Sequence, residues 1–171
     1  MKAMVNDMIF LIGFMGAGKT AVSKELAKKA NMKLIDTDEY IEKKEGMKIP
    51  EIFDKYGEEY FRNIETQCLK EIVSKEEAIV SCGGGIIMKE ENVKVMKAAG
   101  KVVFLKTSPE TIYQRVKKSQ NRPMLKGHMN VEYIEKLLNE RQPFYDRAKD
   151  CEICTDNRTV SAIAQEILCF L

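Results

Sequence analysis

The sequence is short of everything that would fix a protein to a surface or hold it together by cross-links. Its longest apolar run near the start, Met8 to Ile12, falls well below a signal segment or the ~20 apolar residues that span a bilayer. No segment addresses the chain out of the cytoplasm, which is its expected location. The net charge is only +2, from 28 Lys and Arg against 26 Asp and Glu. No general field therefore draws it to nucleic acid or to an anionic membrane, and neither is expected as a partner. There is a single histidine, His128, and there are five cysteines, an odd number without a pairing framework, which suits a reducing compartment. Cys151-x-x-Cys154 looks like half of a zinc or redox site, but no second pair exists to complete it. The plainer reading is two small residues on a short strand. No repeat, low-complexity tract or Pro/Gly/Ser linker divides the 171 residues, and that length suits one domain whose core needs no staples.

What is present is a rhythm. Short β-type apolar runs stand at Met8–Ile12, Met32–Ile35, Ala78–Cys82, Val102–Leu105 and Cys151–Cys154, with longer helical patterns between them. Strands alternating with helices predict βαβ units and a parallel sheet covered on both faces. Ser108, Pro109 and Glu110 supply an N-cap, a first-turn proline and a favourable charge for one helix. The last helix is predicted to start near Thr159, with Val160, Ile163, Ala164, Ile167, Leu168 and Leu171 along a core-facing stripe. From Thr111 to Val131 there is no acidic residue, while Arg115, Lys117, Lys118, Arg122 and Lys126 fall inside. Arg122-Pro123 and Gly127 make the second half of that segment a loop. By itself it reads as a solvated basic loop or a weak nucleic-acid patch.

Gly13-Phe14-Met15-Gly16-Ala17-Gly18-Lys19-Thr20 matches G-x-x-x-x-G-K-[ST] at every fixed position. A strand precedes it, and Ala21 to Ala30 reads as the following helix, with Val22, Leu26 and Ala30 at spacings of four. Glycines let backbone N–H groups wrap an anion at the positive end of a helix dipole. Lys19 then reaches the β- and γ-phosphates, and the Thr20 hydroxyl is placed to ligate Mg²⁺. The chain is expected to bind a nucleoside triphosphate. It lacks the acidic strand ending of motor-type ATPases and the Asn-Lys-x-Asp motif that reads guanine.

Its carboxylates follow the second strand instead, as Asp36-Thr37-Asp38, where strand ends line a ligand crevice. One of them serves metal and the other substrate, unless the pair merely caps the next helix. Gly83-Gly84-Gly85 ends another strand and lets a ligand lie against bare backbone. Arg62 and Glu65 share a helix face, as a surface salt bridge or as part of a site. Arg141, two residues before Pro143, is either solvated or a ligand for an anion.

Taken in order, the glycine loop, Asp36-Thr37-Asp38, Phe61-Arg62-x-x-Glu65, Gly83-Gly84-Gly85, Arg122-Pro123 and Arg141-x-x-x-Tyr145 resemble the shikimate kinase family over nearly the whole chain. The resemblance implies a three-layer α/β/α sandwich with a central five-stranded parallel sheet, a P-loop kinase fold in one domain spanning 1–171. It also implies a mobile lid at about 112–128 and a substrate-binding helical region at about 38–65. Gly13, Gly16, Ala17, Gly18, Lys19 and Thr20 would hold ATP, with Arg115 and Arg158 flanking the adenine. Thr20 and Asp36 would sit on the Mg²⁺ side. Asp38 would hydrogen-bond the ring hydroxyls of shikimate and assist proton removal. Arg62 and Arg141 would grip the carboxylate, Gly83, Gly84 and Gly85 would contact the ring, and Arg122 would arrive on the closing lid. The basic segment then reads as lid, since phosphoryl transfer needs charge neutralisation and exclusion of water. Met124 departs from the leucine usual after Arg-Pro, and Ser81-Cys82 occupies a stretch where small residues vary. Cys82, beside the substrate floor, is expected to confer sensitivity to thiol reagents. A monomer is expected. The rivals are a related hydroxy-acid kinase, such as one acting on gluconate, and a nucleotide-dependent regulatory or RNA-binding module.

Overall fold

β1 (Met8–Ile12) is buried along its whole length. This is the condition of a strand at the middle of a sheet covered on both faces. The computed structural model describes residues 8–117 and 130–171. After β1 come α1 (Lys19–Ala30), β2 (Lys33–Asp36), α2 (Thr37–Glu45), α3 (Ile49–Val73), β3 (Ala78–Ser81) and α4 (Glu90–Ala99). Then follow β4 (Gly100–Lys106), α5 (Pro109–Val116), α6 (Val131–Ala148), β5 (Cys151–Cys154) and α7 (Val160–Phe170). The five strands pair in parallel in the order β2-β3-β1-β4-β5.

Alternation of side chains across the sheet divides the core in two. Met8, Phe10 and Ile12 face a cluster with Leu69 and Ile72 of α3, Met96 of α4 and Tyr145 of α6. Ile9 and Leu11 face Val22 and Leu26 of α1 and Ile163 and Ile167 of α7. The result is the three-layer α/β/α arrangement with five parallel strands that the alternating pattern and the resemblance predict. Two satellite clusters stand beyond it. Phe14, Ile112, Val116 and Ile134 join the glycine loop to α5 and α6. Ile41, Ile52, Phe61 and Cys68 join α2 to α3.

The departures from expectation have local causes. α1 starts at Lys19 rather than Ala21, because Gly18 ends the loop in the left-handed region (φ 93°) and no side chain caps the helix. β2 starts at Lys33 because the amide of Met32 is used to close α1 through Ala27, around a left-handed Asn31. Ser108 and Thr159 cap α5 and α7, accepting from the amides of Thr111 and Ala162 at 3.3 and 3.1 Å. Along α7, Ile163, Ala164 and Ile167 are buried, whereas Val160 and Leu171 at the helix ends are exposed. Cys151 and Cys154 lie on β5 as free thiols. Arg122, Met124 and the loop character of residues 122–127 lie outside the described residues.

Gly100 marks the tightest approach in the sheet. It opens β4 opposite Met8, and a Cβ there would stand 2.6 Å from the Met8 carbonyl carbon. Gly100→Ala is therefore expected to force β1 and β4 apart and cost roughly 1–3 kcal/mol. A lower urea midpoint at unchanged slope checks this; an unmoved midpoint contradicts it.

Candidate active site

β3 and β4 flank β1, so the loop after β1 lies where the course of the chain reverses, at the carboxyl ends of the strands. The cleft that opens there has a volume of about 1050 Å³, ample for two small ligands. Gly16, Gly18, Lys19 and Thr20 line one end, and Arg62, Arg141 and the glycine triplet line the other, with Asp36 and Asp38 between.

The phosphate end is shaped by backbone. Gly16 (φ 79°) and Gly18 (φ 93°) take conformations that side chains resist. A Cβ on Gly16 would also stand 2.8 Å from Cγ1 of Val116. The amide of Ala17 donates to the Phe14 carbonyl at 3.0 Å, closing the turn. Gly13 and Ala17 support the loop from behind. Nζ of Lys19 donates to the carbonyls of Gly13 (2.6 Å) and Phe14 (3.1 Å), which draws the ammonium across the mouth of the loop. Arg115 donates to the Gly16 carbonyl at 2.9 Å. A shallower groove next to the cleft contains Arg115, Asn157 and Arg158. There Arg158 donates to the Cys154 carbonyl at 3.1 Å and ion-pairs with Glu166.

Asp36 turns out to do what a capping residue does. Its Oδ1 accepts from the amides of Asp38 (2.9 Å) and Glu39 (3.0 Å), so it starts α2. Its other oxygen makes no hydrogen bond among the described residues. That oxygen and the exposed hydroxyl of Thr20 are hard oxygen donors on the phosphate side of the cleft, a set that suits Mg²⁺ delivered with phosphates.

Asp38 is different in kind. Burial, and then the charge of Asp36, push its carboxyl up to about 6, against the opposing pull of Lys19 and Arg62. Glu65 is only 1% exposed and is raised to about 7 by burial, although Arg62 lies 2.9 Å away and opposes the shift. Glu58 also reaches Arg62, at 3.5 Å. Arg62 is thus held from two sides in the cleft wall, rather than paired at the surface. Arg141, 8% exposed, is likewise not a solvated residue. It donates to the Gly84 carbonyl at 2.9 Å and stands over the Phe14 ring at 5.7 Å. The glycines are needed where they are. A Cβ on Gly83 would stand 2.6 Å from Oδ1 of Asp38, and one on Gly85 would collide with the Arg62 guanidinium.

Cys82 corrects an expectation. It is fully buried, with its Sγ directed toward the Val80 carbonyl and Met96, and burial pushes its thiol far above the ordinary range. Such a thiol is inert, so reagent sensitivity is not expected from it. The sequence reading also missed the apolar wall that Phe53 and Phe61 form with Ile49 and Pro50. On a straight helix, residues eight apart stand about 12 Å from each other along the axis. Gly57 breaks α3 at φ 82°, and the two rings meet with centroids 4.7 Å apart. A glycine inside a helical pattern was the one available signal.

Known proteins with this arrangement share its sequence. The family model of shikimate kinase matches residues 15–171. The chain is 42% identical over 160 residues to the shikimate kinase of Thermodesulfovibrio yellowstonii, spanning 94% of this chain and 92% of that protein. It is 46% identical over 160 residues to the shikimate kinase of a Sulfurihydrogenibium species, at 94% and 95% coverage. The solved structure of shikimate kinase from Acinetobacter baumannii in complex with shikimate superposes with a TM-score of 0.90 at 37% identity, covering 96% of this chain and 92% of that one. A gluconokinase from Sinorhizobium meliloti reaches a TM-score of 0.59 at 15% identity, which shows a common fold alone. The chain belongs to the shikimate kinase family, phosphotransferases whose acceptor is a hydroxyl group.

Proposed function

We propose that the chain transfers the γ-phosphoryl group of ATP to the 3-hydroxyl of shikimate, releasing ADP, and that the cleft divides the work between its two ends. The observation that carries this reading is the pair of arginines, half-buried Arg62 and buried Arg141, lining the cleft that Asp38 also lines. Planar guanidinium groups match a carboxylate better than an ammonium does. The glycine triplet leaves room for a ring between them and Asp38, and the Phe53 and Phe61 wall offers an apolar face to its carbons.

At the other end, Gly13 to Thr20 cradles the triphosphate. Lys19 exchanges its carbonyl partners for phosphate oxygens and neutralises charge on the group in flight. Mg²⁺ supplies further neutralisation of the phosphates when bound, and Thr20 and Asp36 would hold it. Arg115 and Arg158 flank the base in the adjoining groove. Arg122, on the basic segment beyond α5, would serve the phosphates from a closing lid. Asp38 accepts a hydrogen bond from the attacking hydroxyl, and its raised carboxyl makes it a better proton acceptor than a solvated aspartate. The reading carries with it a monomer in the cytoplasm that takes no nucleic acid, consistent with the near-neutral charge and free thiols.

The direct test is ADP release by purified protein with ATP and Mg²⁺, offered shikimate or gluconate. Turnover with shikimate alone is expected; preference for gluconate, or ATP binding without turnover on either acid, refutes the reading. Arg62→Ala or Arg141→Ala removes a charge-assisted contact and should raise KM for shikimate about 10- to 100-fold while KM for ATP stays close to wild type. Equal effects on both substrates would remove them as carboxylate ligands.

Asp38 and Glu65 also give a pH dependence of definite sign. Both carboxyls are raised in the folded protein, to about 6 and about 7, so the folded state keeps protons that the unfolded chain releases. Stability then falls as pH rises from about 4 to about 7 and levels off above. Activity runs the other way, because the proton acceptor must be ionised: kcat/KM for shikimate climbs from pH 5 to pH 7. Asp38→Asn is expected to lower kcat yet raise the urea midpoint at pH 8. A destabilised variant would show that the carboxylate is not strained by burial.

A further inference from the structure

The glycine triplet has no side chains with which to hold its own shape, and its backbone is pinned from outside. The Gly83 carbonyl accepts from the Ile86 amide at 3.2 Å, a bond within the same turn. The Gly84 carbonyl accepts from Arg141, which the acceptor also engages in the reading above. The Gly83 amide donates to Oγ1 of Thr37 at 2.8 Å, across to the end of the neighbouring strand. Register between β2 and β3 ends at Asp36 opposite Ser81, so this side chain extends the ladder past the last backbone pair.

Thr37 is 1% exposed and is the first residue of α2. That helix has no use for the hydroxyl, since Asp36 already supplies the cap. A β-branched residue gains nothing there in helix propensity, and a buried hydroxyl costs free energy unless bonded. Its one partner of consequence is Gly83, and Gly83 lies against the carboxylates: a Cβ there would stand 2.6 Å from Oδ1 of Asp38 and 3.4 Å from Oε2 of Glu65. We propose that Thr37 is a positioning residue for the acceptor, its hydroxyl fixing the separation between the glycine triplet and the Asp38 carboxylate so that ring hydroxyls meet both at once. The inference rests on the shikimate kinase reading and adds a residue that touches neither substrate.

Thr37→Val keeps the shape and deletes the acceptor, leaving the Gly83 amide unpaired; Thr37→Ser keeps the hydroxyl. Thr37→Val is expected to raise KM for shikimate about tenfold, with KM for ATP near the wild-type value, and Thr37→Ser to restore it. In the wild-type protein the Gly83 amide is expected to exchange as slowly as the amides of β3. The proposal is overturned if Thr37→Val leaves KM for shikimate unmoved, if it raises both KM values alike, or if Thr37→Ser is equally impaired. Should Thr37→Val not fold, Thr37→Ser and the exchange of the Gly83 amide decide alone, and an amide exchanging like an open loop overturns the proposal. A wild-type protein without shikimate-dependent turnover would sink the functional reading itself. Normal turnover with an indifferent Thr37→Val would sink this inference only.

Discussion

A carboxylate buried as deeply as Glu65 survives because a guanidinium lies 2.9 Å from it, and that pair organises the acceptor half of the cleft. Glu65 orients Arg62, Arg62 passes so near Gly85 that a side chain there would displace its guanidinium, and Gly83 fills the narrow space beside Asp38 and Glu65. Each group restricts the next. Burying opposite charges costs desolvation that their attraction only partly returns. The arrangement is better understood as specifying geometry than as strengthening the fold. Two raised carboxyls in one small space have the same first cause, burial that favours the neutral acid.

The phosphate half works on an opposite principle. Its groups are amides and carbonyls fixed by the sheet and by α1, and the Lys19 ammonium is held near the loop by the Gly13 and Phe14 carbonyls. Backbone donors of this sort need no reorganisation when an anion arrives. The two halves meet at β2, whose last residue caps a helix with one oxygen and lines the cleft.

Sequence made much of this legible, for reasons that differ between residues. The glycine loop announced itself because left-handed backbone and close approach leave glycine as the fitting residue at 16 and 18. The strands were visible as apolar runs because a parallel sheet covered on both faces buries both sides of each inner strand. Element ends were displaced where backbone rather than side chains did the capping, at the start of α1 beside Gly18 and at the start of β2 beside Met32. Arg62, Glu65 and Arg141 could be named but not judged, since nothing in a linear pattern tells a buried guanidinium from a solvated one. Phe53 and Phe61 were illegible because their meeting depends on one positive φ at Gly57. Thr37 was hidden by its neighbours: between two aspartates, a threonine passes for a spacer. The reactivity expected of Cys82 failed for a related reason, because adjacency to a site in sequence says nothing of which way a side chain turns from a strand.

Gly16 and Val116, distant in the chain, lie so close that a Cβ on Gly16 would stand 2.8 Å from Cγ1 of Val116. Val116 is the last residue of α5, and Arg115 beside it grasps the Gly16 carbonyl. The helix that leads into the basic segment is thereby seated on the nucleotide loop itself. A methyl group introduced at Gly16 would strain its own turn and also tilt that seat. Damage to the loop would then be felt at the far end of α5, where Arg115 and Val116 meet it.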